Sequence, residues 1–338
     1  MAQPGSLAPL AQAIAWIDAG IPAVVGTVTQ TWGSAPQQAG SVIAINREGQ
    51  FMGSVSGGCV EASVIDEALR AIRDNKPREL HFAVSEDTAW SVGLACGGTV
   101  NIQLEPLRDA PDNILGCYRE VIAALDKRRP RVVATWLDGR KHAIFDPSSS
   151  ANTPLEMRAA EAAQASASTV IELEGDRIFL HAFNPPFRML LLGAVHIAQF
   201  MAPIATLAGF EVIVIDARQI FATPQRFPDT RVVVQQPAAA LQALGLDSRT
   251  AVVALTHKPE VDDPALLEAV RSSAFYVGAL GSRKTHKARA DRLKELGATE
   301  SEIGKIKAPA GLTIGASGPP EIAISIVAEV ISAYRVKN

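Results

Sequence analysis

From residue 188 onward, short apolar segments alternate with segments of helical periodicity. Strands are expected at 189–192, 211–215, 231–234, 251–256 and 274–278, and helices at 195–208, 237–244, 264–273, 283–296 and from Pro319 onward. Short apolar strands that alternate with helices form a parallel sheet whose two faces are both covered. The sequence therefore predicts a Rossmann-like, doubly wound parallel-sheet domain over residues 188–338.

The first part of the chain has a different, mixed pattern. Strands are expected at 22–31, 41–46, 50–55, 78–84, 99–105, 131–137 and 141–145, with helices that end near Gly20 and Asn75 and a third at 114–128. Residues 146–168 are rich in Ser, Ala, Pro, Asn and Thr, which is typical of a linker, and a hairpin follows. We expect a mixed α+β domain over 1–146, a linker and hairpin over 147–187, and an α/β chain as a whole.

The composition excludes several classes of protein. The chain has 338 residues, of which 48% are hydrophobic, and this is too apolar for a disordered protein. A net charge of -3 lacks the basic surface that nucleic acids require. Three cysteines are too few for a disulfide framework, and the uncharged stretch 189–210 divides better into a strand, a turn and a helix than into a membrane span. We expect a soluble, cytoplasmic protein with no nucleic-acid or membrane partner.

The segment Ser56-Gly57-Gly58-Cys59 lies where a strand meets a helix. Glycines at such a junction adopt positive φ and let backbone N–H groups converge on an anion. The positive end of the helix lowers the pKa of a cysteine in its first turn. A thiolate there can act as a nucleophile, carry sulfur or bind a soft metal. The pattern favours an anion cradle and a reactive Cys59, and the structural alternative is a tight turn with a buried thiol.

The segment Cys96-Gly97-Gly98 repeats these residue types in reverse order, ahead of a strand. A functional thiol and a structural one are equally consistent with Cys96. Cys117 falls on the apolar face of a helix, where a structural role is expected. None of the cysteines has the paired CxxC spacing that is typical of a structural zinc site.

The turn Gly193-Ala194-Val195-His196 occupies the position of a dinucleotide-binding fingerprint, between the first strand of the Rossmann-like part and its helix. Asp216 ends the next strand, where a carboxylate that binds a ribose is expected. The second glycine of the fingerprint, which lets a pyrophosphate approach the backbone, is Val195 here. The sequence therefore predicts the fold but argues against ordinary NAD(P) binding.

Other polar residues follow strands at the same edge of the expected sheet. His196 is placed to point into the crevice at the strand ends, and a capping histidine is an equally good interpretation. Thr256-His257-Lys258 ends another strand on the same edge. Gly281-Ser282-Arg283 at a helix start is typical of an anion or phosphate site. The basic residues on that helix, which are Lys284, Lys287, Arg289 and Arg292, are more simply explained as a solvated face.

Together these segments resemble the XdhC/CoxI family over nearly the whole chain. In the N-terminal part the resemblance is carried by TWGSAP (31–36), GSVSGGCVE (53–61) and CGG (96–98). In the Rossmann-like part it is carried by LLLGAVHIAQ (190–199), VIDAR (214–218), ALTHKPEVDDPALL (254–267), YVGALGSRKTHKAR (276–289) and GLTIGASGPPEIAISIVAEVI (311–331). Family members usually have GAGH and THDH where this chain has GAVH (193–196) and THKP (256–259).

The resemblance implies a non-redox accessory protein that matures molybdenum hydroxylases such as xanthine dehydrogenase. Such a protein binds the molybdenum cofactor, as molybdopterin or its dinucleotide, and encloses it between both domains. A cysteine desulfurase then supplies the sulfido ligand, and the cofactor passes to the apo-hydroxylase. Cys59 and Cys96 would be the reactive thiols, with Cys59 at the metal, and a homodimer is expected. The residues expected to bind the cofactor are Ser56, Gly57, Gly58, Glu61, Gly97, Gly98, Gly193, His196, Asp216, His257, Gly281, Ser282 and Arg283.

Two alternative functions belong to other classes. A thiol sulfurtransferase would carry a persulfide on Cys59 during turnover. An NAD(P)-dependent oxidoreductase would use the Rossmann-like part, and Val195 argues against it. We expect the accessory protein in preference to either. Each motif alone is weak evidence, but the combination of motifs is specific.

Overall fold

The computed structural model describes residues 4–33, 37–58, 60–84, 98–108, 114–139 and 141–335. Its internal contacts divide the chain into two units, Met1–Pro185 and Pro186–Asn338. The first unit combines helices with antiparallel sheets, and the second has one parallel sheet, so the predicted α/β class is confirmed. None of the helices described is long and apolar enough to cross a membrane.

Unit 1 begins with a five-stranded antiparallel sheet. Its elements are α1 (Pro4–Asp18), β1 (Ala23–Gly33), β2 (Val42–Asn46), β3 (Phe51–Gly53), α2 (Glu61–Asp74), β4 (Arg78–Val84) and β5 (Gly98–Leu107), and the strand order is β3-β2-β1-β5-β4. Helix α2 buries Val64, Ala68 and Ala71 against one face of this sheet. Burial of this apolar stripe fixes the start of α2, and with it the glycine turn that precedes the helix.

A second antiparallel sheet completes unit 1. Its elements are α3 (Ile114–Leu125), β6 (Arg131–Trp136), β7 (His142–Phe145), α4 (Pro154–Ala165), β8 (Thr169–Leu173) and β9 (Asp176–Phe183), and the strand order is β7-β6-β9-β8. A shared core holds this sheet to the first one. Leu10 of α1, Tyr118 of α3 and Phe183 of β9 are all buried in it.

The structure departs from the sequence-based expectation over the segment 147–187. The expected hairpin is present as β8 and β9, but β9 pairs with β6, so the hairpin is part of the second sheet. Residues 154–165, expected as linker, form α4 behind a capping box in which Thr153 and Glu156 satisfy each other's backbone N–H groups. The buried residues on the side of this helix that packs against the sheet are alanines. Small alanines carry a weak hydrophobic pattern, and for this reason the periodicity of the sequence does not predict the helix.

Unit 2 is a six-stranded, fully parallel sheet. Its elements are β10 (Arg188–Leu192), α5 (His196–Leu207), β11 (Glu211–Ile215), β12 (Arg231–Val233), α6 (Pro237–Leu244), β13 (Thr250–Ala254), α7 (Pro259–Arg271), β14 (Tyr276–Ala279), α8 (Arg283–Glu295), α9 (Glu300–Gly304), β15 (Ile306–Lys307) and α10 (Pro319–Arg335). The strand order is β12-β11-β10-β13-β14-β15, which is the order of a doubly wound Rossmann sheet. The predicted Rossmann-like architecture is confirmed, and the stretch 189–210 forms β10 and α5.

Alternate residues of β10 explain why helices cover both faces of this sheet. Met189 and Leu191 belong to the core under α5 and α10, whereas Leu190 and Leu192 belong to the core under α6 and α7. The order of the strands reverses between β10 and β13, so the loops that follow these two strands diverge and leave a crevice. The crevice is the position at which ligands bind in sheets of this type.

Candidate functional site

The glycine turn of unit 1 is organised around the carboxylate of Glu61, the first residue of α2. Its Oε1 accepts hydrogen bonds from Ser54 Oγ at 2.7 Å and from the Ser56 backbone N–H at 3.0 Å. Its Oε2 accepts from Ser56 Oγ and from the backbone N–H groups of Gly58 at 2.9 Å and Val60 at 3.2 Å. The sequence folds this way because Gly57 and Gly58 have φ of 80° and 118°, which other residues rarely adopt.

These contacts give the turn a different role from the one that its motif predicts. The Gly58 amide donates to Glu61, and the Gly57 amide donates to Ser54 Oγ at 2.9 Å. The amides expected to hold an external anion therefore hold groups of the protein itself. Glu61 was expected to contact the cofactor, but it is the anion that fills the cradle, and Ser56 supplies two of its hydrogen bonds.

The charge of Glu61 also changes the electrostatics at the head of α2. Burial by itself raises the pKa of Glu61, but hydrogen bonds from Ser56 and Ser54 outweigh it and bring that pKa down to about 2. The carboxylate is therefore ionised at any physiological pH. It offsets the partial positive charge of the helix start, which by itself would lower the pKa of a thiol there.

The structure describes one of the three cysteines. Cys59, Cys96 and Gly97 lie outside the described residues, and Gly98 is the first residue of β5, where it pairs with Gly33. Cys117 is a free cysteine on α3 that packs against the core, and burial raises the pKa of its thiol. Within the described ranges, no group of three or more His, Cys, Asp or Glu side chains could hold a metal ion.

The glycine turn of unit 2 is also closed by a carboxylate, which comes from a neighbouring strand. Gly193 has φ of 114°, and a Cβ there would lie 2.6 Å from Thr256 Cγ2, so only glycine fits. The next amide, of Ala194, donates to Asp216 Oδ2 at 2.9 Å. Val195 precedes α5 and provides no side-chain acceptor for the first turn of this helix.

Asp216 stands where a ribose-binding carboxylate is expected, but its oxygens are engaged. Oδ1 accepts from the backbone N–H and the Nε of Arg218, both at 2.9 Å, and Oδ2 accepts from Arg218 Nη2 at 2.7 Å besides Ala194. These four hydrogen bonds use the four acceptor sites of a carboxylate. Burial raises the pKa of Asp216, but the hydrogen bonds from Arg218 more than compensate and lower it. A ribose would have to break this arrangement.

The predicted anion site at the start of α8 is capped by the protein. Ser282 Oγ accepts from the Thr285 backbone N–H at 3.1 Å, which is an ordinary N-cap. Arg283, the next residue, is exposed. The expected solvated face of this helix is wrong for Arg289, which is buried and donates to the Leu280 carbonyl at 3.0 Å.

A pocket of about 740 Å³ lies at the ends of β10, β13 and β14. Three of the predicted residues, His196, His257 and Gly281, line it together, whereas Gly193, Asp216, Ser282 and Arg283 do not. The other side of the pocket is formed by residues of the segment 309–316, which follows β15, and by Pro319, Ile322 and Ser325 of α10. No role was predicted for this segment, although its glycines and its lack of periodicity were visible in the sequence as a loop.

The chain matches two models of one protein family. The model described as XdhC and CoxI family matches residues 16–83, and the model described as XdhC Rossmann domain matches residues 189–330. The chain is 28% identical over 311 residues to the molybdenum cofactor insertion chaperone PaoD of Escherichia coli (strain K12), which covers 92% of this chain and 83% of that protein. It is 27% identical over 316 residues to a Bacillus subtilis (strain 168) protein named as a probable xanthine dehydrogenase subunit, covering 91% and 92% of the two chains.

A solved structure shows the same fold over the full length. The crystal structure of a xanthine dehydrogenase from Bacillus halodurans matches with a TM-score of 0.73 at 25% sequence identity, covering 99% of this chain and 97% of the other. Matches to both halves, in the order in which the sequence motifs occur, agree with the glycine turn of unit 1 and the Rossmann sheet of unit 2. The chain belongs to the XdhC and CoxI family.

Proposed function

We propose that the protein matures molybdenum hydroxylases of the xanthine dehydrogenase type by binding the molybdenum cofactor as cargo, protecting it and inserting it into the apoenzyme. The names of its relatives support this role: one is a molybdenum cofactor insertion chaperone, and another is named as part of a xanthine dehydrogenase. The identity with each of them extends over more than nine-tenths of this chain.

The observation that carries the proposal is the filled amide cradle of the segment 54–61. Because Glu61 takes the amides of Ser56, Gly58 and Val60, this turn already contains its anion. What the turn can still offer to a cargo is the thiol of Cys59, the residue between Gly58 and Val60. A thiolate is a ligand for soft metals and an acceptor of sulfur. The geometry therefore supports a turn that presents sulfur to a metal in preference to a turn that binds phosphate.

The hydrogen bonds on either side of position 59 support the same role. Gly58 and Val60 donate to the same oxygen of Glu61, so the backbone is held immediately before and after position 59. Prepositioned groups lose less conformational freedom when they bind a ligand. We propose that Cys59 contacts the molybdenum end of the cargo, that Cys96 is a second thiol, and that a cysteine desulfurase supplies the sulfido ligand while the cargo is held. We also propose that the working form is a cytoplasmic homodimer.

The proposal is tested with Cys59→Ser, and Cys117→Ser is the matched control. Each protein is purified from molybdate-replete cells that also produce the apo-hydroxylase. Molybdenum per chain is measured by mass spectrometry, and transfer is measured as the hydroxylase activity that the purified protein restores. We expect Cys59→Ser to keep the thermal unfolding temperature of the wild type and to lose most of the bound molybdenum and of the restored activity. The control should retain both, because Cys117 is a partly buried thiol on α3, outside the glycine turn.

A Cys59→Ser protein that retains wild-type molybdenum and restores full hydroxylase activity would contradict the proposal. Loss of molybdenum in both variants to the same extent would also contradict it, since the effect would then not depend on the glycine turn.

A further inference from the structure

We infer that the crevice of unit 2 binds one phosphorylated heterocycle of mononucleotide size, in the half formed by β10, β13 and β14, and that side chains of the protein close the other half. The inference rests on the proposed function in one respect: the heterocycle would be the pterin end of the cargo. The two halves of the crevice differ in what their loops leave accessible to a ligand.

A Rossmann sheet of this strand order consists of two mononucleotide-binding halves, one on each side of the point where the strand order reverses. Here the first half is β10-β11-β12 and the second is β13-β14-β15. An ordinary dinucleotide spans both halves and passes its pyrophosphate over the glycine turn after the first strand. Each half can therefore be judged separately by what its loops leave open.

The first half is filled by an ion pair. Asp216, which would bind the ribose, has all four acceptor sites engaged by Arg218 and Ala194. Arg226 reaches back over the same turn and donates to the Ala194 carbonyl at 2.8 Å. The guanidinium groups of Arg218 and Arg226 both lie over the ring of Phe221, at 4.3 and 5.3 Å from its centre. These contacts occupy the volume and the polar groups that an adenosine would need.

The glycine turn adds a steric barrier at the boundary between the halves. Val195 takes the place of the glycine that lets a pyrophosphate approach the backbone. Its side chain is partly buried and packs against the core beneath α5. The pyrophosphate of a dinucleotide has to cross this turn from one half to the other, so it meets an obstacle there as well as a filled ribose site. A single phosphate that stays on the β13 side of Val195 does not have to cross it.

The second half is open. The pocket of about 740 Å³ is lined by the segments that follow β10, β13 and β14, by residues 309–316 and by the start of α10. Neither Asp216 nor Arg218 contributes to it. This volume lies within the roughly 300–1,000 Å³ of small-molecule sites. Imidazoles stand on both sides of the strand reversal, His196 after β10 and His257 after β13. They offer hydrogen bonds and flat faces to a heterocycle.

The imidazole of His257 belongs to a turn that is organised without a ligand. His257 has φ of 58°, an uncommon conformation for a residue other than glycine, and such residues concentrate at functional sites. Thr256 Oγ1 accepts from the Lys258 backbone N–H at 3.1 Å and donates to Asp262 Oδ1 at 2.7 Å. Asp262 is almost fully buried. The turn is therefore held from the core, which lowers the cost of binding.

The phosphate is assigned to the start of α5, where Val195, His196 and Ile197 line the pocket. Val195 gives no side-chain cap to this helix, whereas Ser282 caps α8. The first amides of an uncapped helix and its positive end favour an anion. A ligand with a ring between the two imidazoles and a phosphate at α5 accounts for the cavity and the two histidines together.

The test compares binding of neopterin monophosphate, GMP and NAD⁺ by isothermal titration calorimetry. In Thr313→Trp, an indole is added to the wall of the pocket at an exposed position. Gln225→Trp adds the same side chain at an exposed position on the connection between β11 and β12, and it is the matched control. We expect Thr313→Trp to weaken neopterin monophosphate at least tenfold and Gln225→Trp to change it less than twofold. NAD⁺ should bind no more tightly than GMP.

Each other outcome overturns a defined part of the inference. NAD⁺ that binds at least tenfold more tightly than GMP, and is weakened by Gln225→Trp, shows that the first half is open. Absence of binding by both neopterin monophosphate and GMP overturns the pocket, and binding of GMP alone overturns the pterin end. If Cys59→Ser loses molybdenum while Thr313→Trp changes no binding, the inference fails and the proposed function stands. If Thr313→Trp abolishes pterin binding while Cys59→Ser retains molybdenum, the proposed function fails and the inference about the pocket stands.

Discussion

Each of the two glycine turns of this molecule has a carboxylate that accepts at least one hydrogen bond from a backbone amide of the turn. The turns differ in where that carboxylate lies in the sequence. In unit 1 the carboxylate is Glu61, three residues after Gly58 and within the helix that the turn begins. In unit 2 it is Asp216, 23 residues after Gly193 and at the end of the neighbouring strand. A local carboxylate reaches nearly every donor of its turn, whereas a distant one reaches a single amide.

This difference decides how far each turn has already engaged the backbone amides that could hold the anion of a ligand. Glu61 accepts from six donors of the segment 54–60, so the turn of unit 1 is complete without a partner. Asp216 takes the Ala194 amide and spends its remaining acceptor sites on Arg218. The start of α5 is left facing a pocket. Similar sequence patterns thus give a turn closed by its own carboxylate in unit 1 and a turn beside a pocket in unit 2.

The largest expected effect comes from Glu61→Gln. The amide of glutamine presents a donor to amides and hydroxyls that need an acceptor, and buried donors without an acceptor are costly. We expect the variant to lose about 4 kcal/mol of the free energy of unfolding of unit 1. All four tryptophans lie in this unit, so their fluorescence during urea denaturation measures the loss. Asp66→Asn, exposed on the same helix, should change the free energy by less than about 0.5 kcal/mol.

A loss below about 1 kcal/mol for Glu61→Gln would mean that the turn keeps its shape without the carboxylate. The proposed distinction between the two turns would then lose its basis.

Glu105 sharpens the comparison, because it is a buried carboxylate of unit 1 without such a cradle. Gln103 donates to its Oε1 at 2.8 Å, and His142 Nε2 lies 3.7 Å from its Oε2. Burial raises the pKa of Glu105 to about 7, against about 2 for Glu61. The number of donors, and not burial alone, therefore sets the direction of the shift.

The raised pKa of Glu105 predicts a loss of stability with rising pH. The folded state keeps a proton that the unfolded chain releases near pH 4.5, so the stabilisation is complete below that pH and disappears as the pH rises through 7. Between pH 5 and 8 we expect the wild type to lose roughly 2 kcal/mol relative to Glu105→Gln, which has no proton to release. The measurement is urea denaturation followed by tryptophan fluorescence at each pH.

Two buried histidines of unit 1, of which His142 lies beside Glu105, give the opposite slope at lower pH. Burial lowers the pKa of His142 to about 4 and that of His181 to about 3, so both favour the folded state less as the pH falls below 6.5. Both histidines are present in the wild type and in Glu105→Gln, so their contributions cancel in the difference between the two free energies of unfolding. Glu172→Gln, exposed on β8, is the control. Parallel pH curves for Glu105→Gln and the wild type would contradict the assignment.

The sequence predicted those parts of the molecule that depend on local patterns. The apolar strands after residue 188, the helix after the turn of unit 1 and the positive φ of Gly57 and Gly58 all follow from residue types within a few positions. Asp216 was placed correctly by its spacing from Gly193. Helix α4 was not predicted, because alanines gave its buried face too little contrast.

The roles of individual side chains were less predictable. Glu61 is an acidic residue in the first turn of a helix, which is common, and nothing in its spacing shows that it reaches back to six donors. Arg218 follows Asp216 by two residues, and only the turn after β11 brings its guanidinium onto the carboxylate. The wall formed by residues 309–316 depends on β15 lying beside β14, which a single sequence does not specify.

The smallest effect is expected from Asp216→Asn. Its size tests the comparison of the two turns at the carboxylate of unit 2. The side chain of Arg218 is 37% exposed, so solvent screens its ion pair with Asp216. The change should cost about 1 kcal/mol, measured by amide hydrogen exchange of the peptides that contain β10 and β11. Asp229→Asn, exposed on the connection after β11, is the control. The pocket lies on the other side of β10, so binding of neopterin monophosphate should stay within twofold of the wild type. A cost as large as that of Glu61→Gln would show that a carboxylate from a neighbouring strand supports its turn as fully as a local one. Sequence separation would then not explain the difference between the two turns.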